Sequence, residues 1–467
     1  MSKTLPSNLL AKLKEILGDK RVCQDTFTLE SFGTDRNPTY PANASTIVFP
    51  ESTEQSQAVV KLAYENNIPL VPSGGRTGLN GGATATDNEV VISFDRMNAI
   101  SNFNSVDQTV NCQAGVITRQ LQDFASNHDL FYPVNFGSAG SSQIGGNIST
   151  NAGGIKVIRY GSTRNWIAGL KVVTGKGDIL ELNNGLMKNS TGYDLRHLFI
   201  GAEGTLGLIT EATIRLTQPP ANLQVMVVGI PEMSMVMPVL ENFKNHLELT
   251  AFEFFSEKVL LKVIEHVNHP RPFEKIVDYY ALIEFNSTSE DILGLAMTAF
   301  EECQNNGWIV EGVVSQSEQQ HQQLWRLRED ITESIAPYSP HKNDVSVNIS
   351  DVPAFLDDLE KLVFNTYPHF EVVWFGHIGD GNLHLNVLKP KDMDNNVFHH
   401  QCHKVDELVY DIVEKYHGSI SAEHGIGLVK RNYLGYSHSA QEIDYMKGLK
   451  SVFDPKNIMN PGKIFSL

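Results

Sequence analysis

The chain has 467 residues, enough for two or three domains and a sizeable core. With 37 basic against 54 acidic residues, its formal charge of −17 argues against binding nucleic acid or docking on anionic lipid through basic patches. Its four cysteines, Cys23, Cys112, Cys303 and Cys402, show no CxxC spacing and read as reduced intracellular thiols, not a disulfide framework.

The N-terminal stretch SNLLAKLKEILGD sets Leu9, Leu10, Leu13, Ile16 and Leu17 at helical spacing. This predicts an amphipathic helix packed on the body, not a signal peptide. No run of about 18 apolar residues occurs, so a soluble, cytoplasmic protein is expected. Up to Thr217, short apolar runs such as STIVFP, VVISF, LKVVTG and ATIRLT read as strands, with a helix over TEQSQAVVKLAYENN. GKGD at Gly175–Asp178 lies between LKVVT and ILEL and reads as a hairpin turn. After Pro219-Pro220, strands (LQVMVVGI, YYALIEF, VEGVVS) alternate with longer helices (SEDILGLAMTAFEECQNNG, SEQQHQQLWRLREDITESIA). On the last of these, Arg328 and Thr332 are i and i+4, hence on one face, and Arg can grip a carboxylate bidentately. A further helix is expected near Asp406–Tyr416.

Two stretches are dense in glycine. VPSGGRTGLNGGA carries Gly74, Gly75, Gly78, Gly81 and Gly82; NFGSAGSSQIGGNISTNAGG carries Gly137, Gly140, Gly145, Gly146, Gly153 and Gly154. Glycine lets a ligand approach the backbone, and successive free N–H groups make anion-binding concavities. With Ser, Thr and Asn interleaved, the two loops suggest a cofactor bearing a pyrophosphate; two tight surface loops are the plain alternative. GxxxxGK[ST] is absent and GAEGTLG is not GxGxxG, so any dinucleotide is bound without a Walker loop or a Rossmann fold.

WFGHIGDGNLHLNV (Trp374–Val387) holds two histidines around Asp380-Gly381, a strong two-residue turn signal. A hairpin closed there sets His377 opposite His384, with Cβ atoms roughly 5 Å apart, and points Asn386 the same way as His384. Two imidazoles and an amide on one face suit a metal or an anion; a hairpin carrying two histidines by chance is the plain alternative. Glu423 and His424 lie in SAEHGIG, where neighbouring extended residues point to opposite sides.

In order along the chain, PSGGRTGLNGG, QIGGNISTNAGG, RYGS and TGYDLRHLFIGAEGTLGLIT resemble the FAD-binding domain of the vanillyl-alcohol oxidase / p-cresol methylhydroxylase (PCMH) superfamily. GHIGDGNLHLNV, SAEHGIG and DPKNIMNPGKIF resemble the C-terminal domain of its FAD-linked 2-hydroxyacid dehydrogenase branch, and the likeness runs from about Ala44 to Phe465. Within the branch it is greatest to the enzymes that oxidise D-2-hydroxyglutarate.

The resemblance implies an α+β fold. A two-subdomain, PCMH-type FAD-binding domain over residues 1–217 precedes an α+β cap with an antiparallel sheet over 218–450, and residues 451–467 return to the FAD domain. It implies that Ser73, Gly74, Gly75, Arg76, Thr77, Gly78 and Leu79 wrap the FAD together with the second loop. From that loop it takes Pro133, Gly137, Ser138, Gly140, Ser141, Gly145, Gly146, Asn147, Thr150, Asn151 and Gly153. Glu203, Gly204 and Ile209 are placed on the adenine side, and Asn460 near the flavin. The first loop has no histidine to carry the flavin, so FAD is expected to be non-covalent.

By the same resemblance His377, His384 and Glu423 hold a divalent metal, Zn²⁺ or Mn²⁺, and His424 is the base. Arg328, Thr332, Lys342 and Asn386 contact the substrate. The implied reaction oxidises a D-2-hydroxy acid to the 2-oxo acid, with D-2-hydroxyglutarate favoured over D-lactate and D-malate. Electrons then pass to an electron-transfer flavoprotein or a quinone, and a homodimer is possible. A metal-dependent hydrolase with merely structural glycine loops is the alternative of a different class.

Overall fold

The computed structural model describes residues 5–37 and 39–467. The chain divides into two compact units, one of residues 1–153, 162–219 and 423–467, the other of residues 154–161 and 220–422. The return to the first unit thus begins at residue 423, not 451. Residues 423–436 carry only turns and a short 3-10 stretch, so no periodic signal marks the change.

In the first unit, β1 (Val22–Cys23), β2 (Thr46–Val48), β3 (Leu70–Ser73) and β4 (Val90–Ser93) form a sheet of order β1-β2-β4-β3, with β2 and β3 parallel to β4. Every residue of β2 and β4 is buried, as unbroken apolar runs in parallel strands require. The helix Thr53–Asn66 packs into this core; the Ser52 hydroxyl caps it, accepting from Gln55 N at 3.2 Å. The helix Ser7–Leu17 buries Leu9, Leu13 and Leu17, the stripe expected from its spacing.

The second sheet of this unit is antiparallel. Strands β5 (Ile100–Asn104), β6 (Thr109–Gln113), β7 (Ile167–Thr174), β8 (Ile179–Leu182) and β9 (Gly207–Arg215) take the order β5-β6-β9-β7-β8. GKGD turns β7 into β8 as expected, with Gly177 at φ +83°. The last residues are stitched onto β3: Leu70 N donates to Ile458 O and Asn460 N to Leu70 O, both at 2.7 Å. The first glycine loop therefore leaves a strand that the C-terminal segment flanks.

The second unit is one antiparallel sheet with helices on both sides. Its strands are β10 (Leu223–Ile230), β11 (Leu249–Ser256), β12 (Tyr279–Asn286), β13 (Glu311–Val314), β14 (His341–Ser346), β15 (Glu371–Gly376) and β16 (Asn382–Leu388). Their order is β13-β10-β12-β11-β15-β16-β14. On one face Val225, Val227, Phe255, Leu282 and Phe375 form a core with the helices Glu257–Val267, Glu318–Glu329 and Ile331–Ile335. The helix expected near Asp406–Tyr416 runs over Asn395–Lys415. Asp394 caps it by accepting from Asn396 N and Val397 N, and Phe398, Cys402 and Val405 extend its buried stripe toward the N-terminus.

Arg328 and Thr332 do not share a helix. The first helix ends at Glu329 and a second starts at Ile331. Asp330 between them sits at φ −77°, ψ −2°, and its carboxylate accepts from Arg326 Nε at 3.0 Å. An aspartate with such a local side-chain partner is a poor helix interior, and the i, i+4 argument fails there.

Candidate functional site

The first unit holds a cleft lined by residues of both glycine loops. Of the expected FAD residues, Gly74, Gly75, Arg76, Thr77, Gly78, Gly145, Gly146, Asn147, Thr150, Glu203, Gly204 and Ile209 line it. Ser73, Leu79, Pro133, Gly137, Ser138, Gly140, Ser141, Asn151, Gly153 and Asn460 are not among its lining residues. Two glycines show the two uses of the residue. A Cβ on Gly75 would lie 2.2 Å from Ser141 O, so the loops touch backbone to backbone there. A Cβ on Gly146 would meet no protein atom within 4 Å and would stand in the cleft itself. Two buried oxygens on lining residues, Asp35 Oδ2 and Gln143 Oε1, have no protein partner. Bare glycine backbone with spare buried acceptors fits a long polar ligand such as FAD.

Some of the expected FAD residues also brace the loops. The Arg76 guanidinium donates to Gly74 O (2.8 Å) and to both Asp95 oxygens (3.2 and 3.0 Å), and lies over the Phe32 ring. Asn460 Nδ2 donates to Gly82 O at 2.9 Å and Glu203 O at 2.7 Å, holding the first loop from beneath. The Glu203 carboxylate accepts from Ile426 N (2.7 Å), Gly427 N (2.8 Å) and Asn80 Nδ2 (2.9 Å). It thereby fixes the backbone that follows Glu423 and His424, both of which are half-buried.

Burial pushes the Glu203 carboxyl up to about 7 despite these three donors, and pushes the Lys463 ammonium down to about 8. Glu203 in the folded chain thus keeps a proton that the unfolded chain has lost between about pH 4.5 and 7, so its contribution to stability falls as pH rises through that window. Denaturant titration of the apoprotein should show wild type losing stability from pH 5 to 7 relative to Glu203→Gln, by roughly 2 kcal/mol. Parallel pH dependences would remove Glu203 as the cause. A second substitution tests the loop contact. Gly75→Ala should force the two loops apart at a cost of about 1–3 kcal/mol, read as a lowered flavin-to-protein absorbance ratio after dialysis. An unchanged ratio would show that the contact is dispensable.

The histidine hairpin lies in the second unit, and its register differs from the expected one. His384 pairs with Phe375, and His377 lies beyond the end of β15. Ile378–Asp380 form a 3-10 turn, and Gly381 closes it at φ +88°. Asn382 explains the longer loop: its N–H donates to Asp380 Oδ1 (3.2 Å), and its amide to Asp344 Oδ1 and Val345 O on β14 (both 2.9 Å). The rings of His377 and His384 nonetheless lie edge to face, with centroids 5.5 Å apart.

Each of the two imidazoles is backed by a buried carboxylate. His377 Nδ1 lies 2.8 Å from Glu253 Oε1, and His384 Nδ1 lies 3.6 Å from Asp344 Oδ1. For His377 an Nδ1–H donated to Glu253 leaves Nε2 as the free ring nitrogen, the arrangement that orients histidine ligands, whereas the 3.6 Å separation at His384 is too long for a hydrogen bond. Glu253 also forms an ion pair with Arg328, Nε to Oε2 2.8 Å, although the N–H is not aimed along that line. Arg328 is buried, with its guanidinium carbon 5.1 Å from the Phe375 ring centroid.

Asn386 pairs with Val373 on one side and Lys342 on the other, so Asn386 and Lys342 share the face of His384. Asn386 is 1% exposed, and neither amide atom has a protein partner. Thr332, half-buried, lies on the short helix of the same covering layer. A second polar group sits on this face. Buried Glu284 accepts from Lys156, Thr250 and Trp325 Nε1, the last at 2.9 Å. Glu253 and Glu284 escaped the sequence reading. Their signal was a single acid inside an apolar strand (TAFEFF, ALIEF), a residue almost never buried unless paired.

The FAD binding domain family matches residues 44–183, and the C-terminal domain family of FAD linked oxidases matches residues 219–464. The chain is 57% identical over 458 residues to D-2-hydroxyglutarate dehydrogenase of Stutzerimonas stutzeri (strain A1501), covering 98% of this chain and 99% of that one. It is 50% identical over 456 residues to D-2-hydroxyglutarate dehydrogenase of Xanthomonas citri pv. viticola, covering 98% and 96%. The solved structure of p-cresol methylhydroxylase with substrate bound superimposes with a TM-score of 0.78 at 15% identity, covering 98% and 97%, which shows a shared PCMH-type fold.

Proposed function

Because the chain belongs to the FAD-linked oxidase family and is an FAD-linked oxidoreductase, we propose that it oxidises D-2-hydroxyglutarate to the 2-oxo acid with metal assistance. The observation that carries this is the polar face of the second unit. Two imidazoles backed by Glu253 and Asp344 stand beside an unpartnered Asn386 amide, the Arg328 guanidinium and Lys342.

His377, through Nε2, and His384 would hold the metal, and the resemblance supplies Glu423 as the third ligand. When bound, a divalent ion there acts as a Lewis acid toward the 2-hydroxy acid and lowers its hydroxyl pKa. Bound FAD, non-covalent because the first loop offers no histidine, would supply the acceptor for the hydride of C2. The rest is work for side chains of this chain. Arg328 and Lys342 supply two cationic contacts, which suits a substrate with two carboxylates. Asn386 offers both a donor and an acceptor to the polar end of the acid. Thr332 adds a hydroxyl. His424 takes the proton of the C2 hydroxyl. The electrons leave to an electron-transfer flavoprotein or a quinone.

The test is anaerobic mixing of the yellow protein with D- and L-2-hydroxyglutarate, D-lactate and D-malate, followed by steady-state assays with a dye acceptor. D-2-hydroxyglutarate should bleach the flavin and give the highest kcat/KM, and the L-enantiomer should leave it oxidised. Equal or better efficiency with D-lactate would overturn the substrate assignment. No bleaching by any D-acid would overturn the dehydrogenase reading.

A further inference from the structure

β14 has two faces. Lys342 and Asp344 belong to the histidine face described above, whereas His341 and Asn343 point to the other side, toward the helix Asn395–Lys415. There His341 Nε2 lies 2.7 Å from Asp406 Oδ1, and His403 Nδ1 lies 3.0 Å from Asp406 Oδ2. We propose that His341, His403 and Asp406 form a second divalent-metal site, separate from the one assigned to His377 and His384.

Four observations support it. The three potential ligand atoms lie within 4.8 Å of one another. Bonds of about 2.0–2.1 Å in a tetrahedral site set ligand atoms roughly 3.3 Å apart, so the 2.7 and 3.0 Å pairs would open slightly and the wider separation, within 4.8 Å, would close to take an ion. Asp406 is 4% exposed and held in place by Asn343, whose amide donates to Oδ1 at 3.1 Å. The Asn343 side chain is itself 2% exposed, and its Oδ1 is buried with no partner, a spare oxygen donor at the cluster. Finally, the His403 side chain is 51% exposed, so an ion can reach the site from solvent. His399 stands one helical turn before His403, with ring centroids 6.4 Å from His341 and 6.3 Å from His403, and is placed to become a fourth ligand by a change of rotamer.

Burial works against charge on Asp406, yet hydrogen bonds from His341 and His403 overcome it and hold the carboxyl well below the usual range. A ready carboxylate with two or three imidazoles favours Zn²⁺, Co²⁺, Ni²⁺ or Cu²⁺ over Mg²⁺ or Ca²⁺. An ion there would tie β14, the strand that carries Lys342, to the helix.

The test isolates this site from the other. FAD-loaded His377→Ala/His384→Ala enzyme is stripped with chelator and titrated with Co²⁺ and Zn²⁺. It should take up one equivalent per chain, show a Co²⁺ d–d spectrum with nitrogen ligation, and gain thermal stability with Zn²⁺. Adding His403→Ala should abolish all three. His403 is half-exposed, so that substitution leaves no buried cavity. If the double variant loses its fold or flavin, the same readings are taken as the difference of one equivalent between wild type and His403→Ala alone. Uptake by neither variant, or equal uptake with and without His403, would overturn the site. An intact His–Asp–His hydrogen-bond network that binds no metal is then what remains.

Discussion

His377→Ala should leave the flavin in place, empty the proposed metal site and lower turnover by more than about 100-fold, beyond the upper end of what loss of an outer-shell partner costs. The cleft-lining residues all belong to the first unit, and His377 belongs to the second. Flavin absorbance should therefore match wild type while metal analysis shows the loss. Glu253→Gln is the informative companion. It keeps the shape of the side chain but weakens the hold on His377 Nδ1 and removes the negative partner of Arg328. Metal affinity should fall about 10–100-fold, less than for the ligand itself, and added metal should restore much of the activity. The Michaelis constant should shift as well, because Arg328 is no longer shared with a protein carboxylate. Loss of flavin with metal retained in His377→Ala would contradict this division of labour.

The gap between sequence and structure has the same cause in each place. That the rings of His377 and His384 come close was legible because strand alternation and a Gly-rich turn are local. The register was not, because Asn382 is held by Asp344 and Val345 across a strand boundary, and that pairing lengthened the turn. Gly381 at φ +88° and Gly379, where a Cβ would lie 2.9 Å from Phe252 Cβ, let the chain make the longer turn. The carboxylates behind the histidines were out of reach for the same reason. Glu253 lies 124 residues from His377, and only the sheet order β11-β15-β16-β14 brings such residues together. In the first unit the glycine loops announced a cofactor, yet Asp35, Asn80 and Asp95, which hold them, carry no local pattern. Within the broken helix after Ser317, periodicity predicted the helices correctly but not the break at Asp330 that parts Arg328 from Thr332.

His424→Ala should retain both FAD and metal and lose turnover with D-2-hydroxyglutarate by about 10²–10⁴-fold at neutral pH, the usual worth of a positioned general base. The backbone around it explains why the loss should be chemical and not structural. Ile426 N and Gly427 N are fixed on the Glu203 carboxylate, and a Cβ on Gly427 would lie 2.2 Å from Asn80 O. The segment is thus anchored by main-chain contacts that an alanine at 424 leaves untouched, and a half-buried ring leaves little cavity when removed. Raising the pH should restore part of the rate in the variant, because hydroxide then takes the proton that the imidazole no longer does. A further readout separates base from scaffold: with proton removal made limiting in His424→Ala, the primary isotope effect of deuterium at C2 should shrink toward unity and a solvent isotope effect should grow, whereas a merely misplaced substrate would keep or enlarge the C2 effect. Near-normal turnover at neutral pH would remove His424 as the base.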